Sequence, residues 1–188
     1  MPSSTVAPSS DITTTDWSTT GSNFNGVLSA SSGAGDGTHY VDQSAGTGGT
    51  NNLVLGCTFN TTGIVSITGV TYTVHWETSG KGGTSDFQLI LKSNGGATTL
   101  ASMATFITTS STSEVASGPT AMTLNNSTPS NWTNFQMVVE TCFSGSPSGN
   151  FFGLNVSITY TTSSGVTSVM STVFDHMSGG MQTLGMNF

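Results

Sequence analysis

Positive charge is almost missing from this chain. Lys81 and Lys92 are its only basic residues, arginine is absent, and nine acidic residues leave a net charge of −7. Two cations cannot neutralise a phosphate backbone, so nucleic acid is a poor candidate partner and none is expected. An anionic membrane surface is excluded on the same ground. Charge of either sign is scarce: 6% of residues carry it, against about 25% in ordinary soluble domains. No apolar run approaches membrane-spanning length. The opening MPSSTVAPSSDITTTDW has neither a basic nor an apolar region of the secretory kind, so synthesis in the cytoplasm without a signal peptide is expected.

The chemistry of catalysis is also thin. No G-x-S-x-G elbow occurs, and SGSPSG carries Pro147 where a nucleophile would have to stand. The glycine runs GAGDG and GTGG lack the strand-to-helix setting and the lysine of a phosphate loop, so they read as plain loops. His39, His75 and His176 have no nucleophile paired with them in sequence. Asp36, His39 and Asp42 could neighbour a metal. The simpler reading makes Asp36 a turn residue and His39 a strand flank. The expectation is a non-enzymatic protein with no cofactor and no metal.

Cysteine is limited to Cys57 and Cys142, whose spacing fits no metal motif. They either pair or stand as free thiols. Cys57 shares a strand face with Leu53, Leu55 and Phe59. Cys142 falls out of phase with Phe135, Met137 and Val139, which favours free thiols.

What the chain does have is hydroxyl. Ser and Thr make up roughly a third of its 188 residues and take over the polar role from charge. Hydroxyls and amides cost less to desolvate than ammonium or carboxylate groups. Such a surface suits packing against many copies or partners, and equally an ordinary Thr-rich β-domain.

The clearest local signal is Ile64 to Trp76. Val70, Tyr72, Val74 and Trp76 fall on one side of an extended chain, and Thr71, Thr73 and His75 on the other. Period-two alternation with β-branched and aromatic residues reads as a long half-buried strand. Similar patterns predict strands at 53–59, 86–93, 97–107, 120–124, 134–143 and 150–162. Short ones are expected at His39–Val41 and over Asn23–Ala30. Asn94-Gly95-Gly96 is a hairpin signal. Residues 108–119 and 125–133 read as loops, the second carrying Trp132. About eight strands with short turns and no body helix predict an all-β fold, an antiparallel β-sandwich of jelly-roll-like type.

Three regions follow. Residues 1–22, Ser/Thr-rich with two prolines, read as an extended N-terminal arm held by a neighbouring subunit, with Trp17 its first apolar anchor. Residues 23–165 form the sandwich. Residues 166–188 form an apolar, Met-rich tail in which Met170, Phe174, Met177, Met181, Leu184 and Phe188 recur at spacings of four and three. Gly179, Gly180 and Gly185 count against a helix there, and a docked tail is the favoured reading. Trp17 and these six tail residues are the candidate assembly contacts. Trp76 is in phase with the core. Trp132, placed in a loop, is the candidate glycan contact. The glycosylation sequons, at Asn60, Asn125, Asn126, Asn131 and Asn155, are no more than chance provides in so Ser/Thr-rich a chain.

Two groups of segments carry a resemblance. SSDITTTDWSTTGSNFNGVLSASSGAGDGTHYV followed by LVLG resembles the recurring opening of β-sandwich domains in tailed-phage virion proteins. ITGVTYTVHW, NWTNFQMVV and FFGLNVSITY resemble later strands of the same domain. The match spans residues 9 to 162 and rests on pattern; the arginines common in such strands are missing, and the Met-rich tail lies outside it. The resemblance implies a jelly-roll-like virion component: a capsid decoration protein, head fibre or tail-fibre module. It carries no catalytic residues over. The expected function is therefore a non-enzymatic virion structural protein, with other virion proteins and copies of itself as partners. A carbohydrate- or receptor-binding module touching host surface glycan is the second reading. An extracellular filament subunit that donates its N-terminal strand is the third.

Overall fold

The strand read first from the sequence is the spine of the fold. In the computed structural model it is β6, Ile64–Thr78, and Val70, Tyr72, Val74 and Trp76 are buried while Thr71, Thr73 and His75 are half-buried. The structure describes residues 1–15, 17–21, 23–29, 39–43, 50–78, 85–142 and 149–163. Met170, Phe174, Met177, Met181, Leu184 and Phe188 lie outside the described residues, as do Asp36 and His176.

Around β6 the described residues form β1 (Ser3–Val6), β2 (Ser10–Thr13), β3 (Trp17–Thr19), β4 (Val41–Gln43), β5 (Thr50–Thr58) and β7 (Ser85–Lys92). They continue with β8 (Thr99–Ser102), β9 (Ile107–Thr109), β10 (Val115–Ala121), β11 (Thr123–Leu124), β12 (Asn134–Cys142) and β13 (Gly149–Thr162). One short helix, α1, covers Phe24–Leu28. All described pairings are antiparallel. The first sheet runs β10-β6-β13-β4-β3, with β1 alongside β13. The second runs β11-β8-β7-β12-β5-β2, with β9 alongside β7.

The pairing is nested. β4 pairs β13, β5 pairs β12, β6 pairs β10, and β7 pairs β8. The eight strands β4 to β8, β10, β12 and β13 thus pair first with last, second with seventh, third with sixth and fourth with fifth. That is one long hairpin wound over itself into two sheets, which is a jelly roll. The expected all-β sandwich holds, and β1, β2, β3, β9 and β11 are short additions to it.

The core lies between the sheets. From the first sheet Tyr72, Trp76 and Phe151 project inward against Phe87 of the second, with ring centroids 5.8 to 6.0 Å apart. Trp76 and Phe151 stack at 5.8 Å. Leu53, Leu55, Leu89, Leu91, Met137 and Ile158 fill the rest and are buried.

Several local expectations are corrected. Residues 3–19, expected as an arm reaching a neighbouring copy, give three strands to their own sheets: β1 to β13, β2 to β5 and β3 to β4. Trp17 is 7% exposed, with its ring 5.8 Å from Phe151, so it is a core residue and not an available assembly contact. The strand proposed for donation to a neighbour is likewise already taken. Open edges of long strands captured a polar segment that composition alone reads as disordered. Of the strand expected over Asn23–Ala30, the described residues 23–29 form no strand. Asn23 caps α1 by accepting from the Gly26 amide at 2.8 Å, and the Asp11 carboxylate accepts from Asn25 N–H at 2.7 Å. Residues 108–119 are not all loop, since β10 lies along the free edge of β6. Its side chains are mostly exposed, so no hydrophobic alternation announces it. The single strand expected over 97–107 is two, β8 and β9, both on β7. Buried Met103 turns into the core between them, its backbone N–H reaching Leu89 O at 3.1 Å.

The cysteines do not pair. In the β5–β12 ladder Cys57 stands opposite Phe135 and Cys142 opposite Thr50. Seven rungs at about 3.3 Å each separate them, far beyond the roughly 7 Å that a disulfide spans between Cα atoms. Among the described residues no helix is long and apolar enough to cross a membrane.

Candidate functional site

Trp132 closes a 3₁₀ turn, Pro129–Trp132, and is fully buried. Its indole N–H donates to Asn126 O at 3.0 Å, and its ring meets Phe135 edge-on at 5.7 Å. The expected glycan contact is therefore a core anchor. Aromatic faces bury a large area and draw their turn inward, which outweighs the loop position that the sequence displays.

That anchor has a consequence for its neighbours. With Trp132 pulled inward, Ser130 is left exposed and Asn131 half-buried on the outside of the turn. The turn holds its shape through Asn131 N–H to Thr128 O at 3.2 Å and Thr128 N–H to Asn126 Oδ1 at 2.9 Å. Beside it, the β7–β8 hairpin closes with Ser93 N–H to Thr98 O and Gly96 N–H to Ser93 O, both 2.8 Å, and presents Asn94 outward. Asn134 and Gln136 follow on the solvent face of β12, because Phe135 and Met137 take the core face.

These elements enclose a surface depression of about 280 Å³ lined by Ser93, Asn94, Ser130, Asn131, Thr133 and Asn134. A second depression of about 270 Å³ shares Asn94 and Asn134 with it and extends past Gln136 to Ser9, Ser10 and Thr58. The two adjoin at Asn94 and Asn134 and together make a cleft on the outer face of the second sheet. Its lining bears no charged side chain. The exposed Ile12 supplies an apolar ledge at the far end, 49% of its surface open. Cys57 lies at the floor as a buried thiol. Burial pushes its pKa up to about 12, only partly offset by the Met137 backbone, so it stays protonated at neutral pH. Such a lining can hydrogen-bond a neutral ligand; it offers no group poised for proton transfer.

Elsewhere, His75 Nδ1 lies 2.9 Å from Glu114 Oε1, tying β6 to the segment before β10. Asp42 accepts a hydrogen bond from the Ser18 hydroxyl, which links β4 to β3. Among the described residues no group of three or more His, Cys, Asp or Glu side chains is placed to hold a metal ion. At the opposite end of the sandwich from the Ser93–Thr98 turn, Thr78 and Ser85 are buried with hydroxyls that meet no partner among the described residues. The cleft residues were not singled out from sequence. The amide-rich run Asn125 to Asn134 was a visible signal for them, read only as a loop.

Fold and cleft together define a charge-poor jelly-roll protein with a polar, amide-lined depression. No family model matches the chain, and no curated protein matches it in sequence. Among solved structures it is similar to the arabinose-bound MgGH51 α-L-arabinofuranosidase, with 14% identity and a TM-score of 0.48, over 77% of this chain and 23% of that one. It is also similar to a chain of infectious bursal disease virus, Gt strain, with 12% identity and a TM-score of 0.36, over 85% of this chain and 33% of that one. The chain thus spans a third or less of either relative's length, and at this similarity neither assigns a function.

Proposed function

We propose that this chain is a non-enzymatic structural protein of a virion, of the capsid-decoration or fibre type found in tailed phages, present in multiple copies. The observation that carries the reading is the jelly-roll strand order combined with a patch of hydroxyls in place of charges on the outer face of the first sheet. Thr71, Thr73, Ser157 and Thr159 form this patch. It can be covered by a neighbour without stranding ions in a low-dielectric contact. Jelly rolls also serve as lectins and cupins, so the fold alone does not choose. The segment resemblance over residues 9 to 162 favours the virion.

The contacts are assigned to the sheet faces and, outside the described residues, to the Met-rich tail. We assign the N-terminal segment no part in them, because its strands lie in the domain's own sheets. Immunogold labelling of intact particles with antibody to the full chain tests the reading. Regularly spaced label on the particle surface is expected. A protein found only in the soluble fraction of lysed cells, and sedimenting there as a monomer, refutes it.

A further inference from the structure

We propose that the cleft formed by the β7–β8 turn, the 3₁₀ turn and the start of β12 is a binding site for a neutral glycan. This goes beyond the virion reading and stands independently of it. Four side-chain amides, Asn94, Asn131, Asn134 and Gln136, border two adjoining depressions that share Asn94 and Asn134. None of them is engaged in a side-chain hydrogen bond among the described residues, while nearby Asn23, Asn60 and Asn126 each use theirs to hold a turn. Each free amide offers two donors and a two-lone-pair acceptor side by side. That matches the donor and acceptor pairs of adjacent sugar hydroxyls. Ser93, Ser130 and Thr133 add hydroxyls along the same wall.

The ligand class follows from charge. The side chains that line the cleft are uncharged; Lys92 stands beside it, opposite Gln136 on the same outward face, and the chain as a whole carries −7, which disfavours sulfated, sialylated or uronic sugars. The Ile12 ledge can cover the apolar C–H face of one ring. The supports are rigid: Asn134 and Gln136 sit on a strand paired on both sides near Gln136, and Asn94 and Asn131 sit on hydrogen-bonded turns. Little ordering is then required on binding. With no exposed aromatic ring in the lining, a single site is expected to be weak, with a Kd on the order of 1 mM. Many copies on one particle would raise this through avidity.

The test is titration of the isotope-labelled full chain with hexasaccharides of glucose, mannose, galactose and N-acetylglucosamine, each to about 20 mM, followed by two-dimensional NMR. An oligogalacturonate and an uncharged hexapeptide serve as comparators. At least one neutral hexasaccharide should shift the side-chain amide signals of Asn94, Asn131, Asn134 and Gln136, and the oligogalacturonate should not. An Asn94→Ala/Asn134→Ala variant with unchanged melting temperature should weaken that binding at least about tenfold. The proposal is overturned if no neutral sugar shifts these signals, if the shifts fall elsewhere or survive the double substitution, or if only the peptide binds. Should the double variant unfold, Gln136→Ala and Asn131→Ala, each at an independent position, decide by the same criterion. None of these outcomes depends on the chain belonging to a virion.

Discussion

Replacing Gly118 with alanine should destabilise the domain far more than the same change at Gly95. Both glycines have positive φ, +111° and +79°, and an L-residue there costs about 1–2 kcal/mol in itself. The surroundings differ. At Gly95 a Cβ meets nothing within 4 Å. At Gly118 it would stand 2.2 Å from Tyr72 O and 3.0 Å from Thr73 Cα, both backbone atoms of β6. The edge strand β10 must then back away from β6 near Thr120 opposite Tyr72 and Ser117 opposite Val74. One or two ladder hydrogen bonds at about 1 kcal/mol each are lost or stretched. The sum is about 2–4 kcal/mol for Gly118→Ala against about 1–2 kcal/mol for Gly95→Ala. For a domain this size that is a drop in Tm of roughly 9 °C against roughly 4 °C. Urea unfolding of both variants, followed by tryptophan fluorescence, measures the pair. Equal losses within about 0.5 kcal/mol would refute the close approach of β10 to β6.

Deleting residues 1–20 should abolish cooperative unfolding or cost more than about 5 kcal/mol, since it removes buried Trp17 and Val6 and three strands; a truncated chain as stable as the parent would return the segment to the role of a free arm. In a Cys142→Ser background the Cys57 thiol should resist a thiol reagent in the folded protein and react fully in guanidinium. The unfolded thiol loses its proton near pH 9 while the folded one holds it to about 12. The folded state then binds the extra proton, and stability falls as pH rises above 9, by about 1 kcal/mol between pH 9 and pH 10. A Cys57→Ala variant should lack that component, and an identical pH profile in the two proteins counts against it. Thr78→Val and Ser85→Ala remove buried hydroxyls without partners among the described residues. Each should be neutral or stabilising by up to about 1 kcal/mol, and a calorimetric loss above about 1 kcal/mol in either would show that the hydroxyl is engaged.

Long strands were legible because their alternation is local. In β6, β7, β12 and β13 the inward residues occupy every second position over much of their length, so the pattern announces both the element and its buried face. Cys57 was placed inward by the same phase. The short strands were not legible. β10 is almost wholly exposed and β1 to β3 are Ser/Thr-rich, so their structure comes from a free edge of another strand, which no local pattern encodes. The helix α1 had a readable cap in Asn23, but five residues are too few to show a helical period. The cleft was illegible for a further reason: Asn94, Asn131 and Asn134 come from a hairpin turn, a 3₁₀ turn and a strand start, and only the winding of the hairpin sets them side by side.

By itself, the sequence determined an all-β class, a charge-poor, hydroxyl-rich composition, the long strands and their inward faces, since these rest on composition and on period two. The tertiary structure decided the nested strand order, the capture of the N-terminal segment into both sheets, and the burial of Trp17 and Trp132. It also decided that the two cysteines stand seven rungs apart. Each depends on which distant segment lies alongside, and antiparallel pairing over such separations is selected by the closure of the whole core.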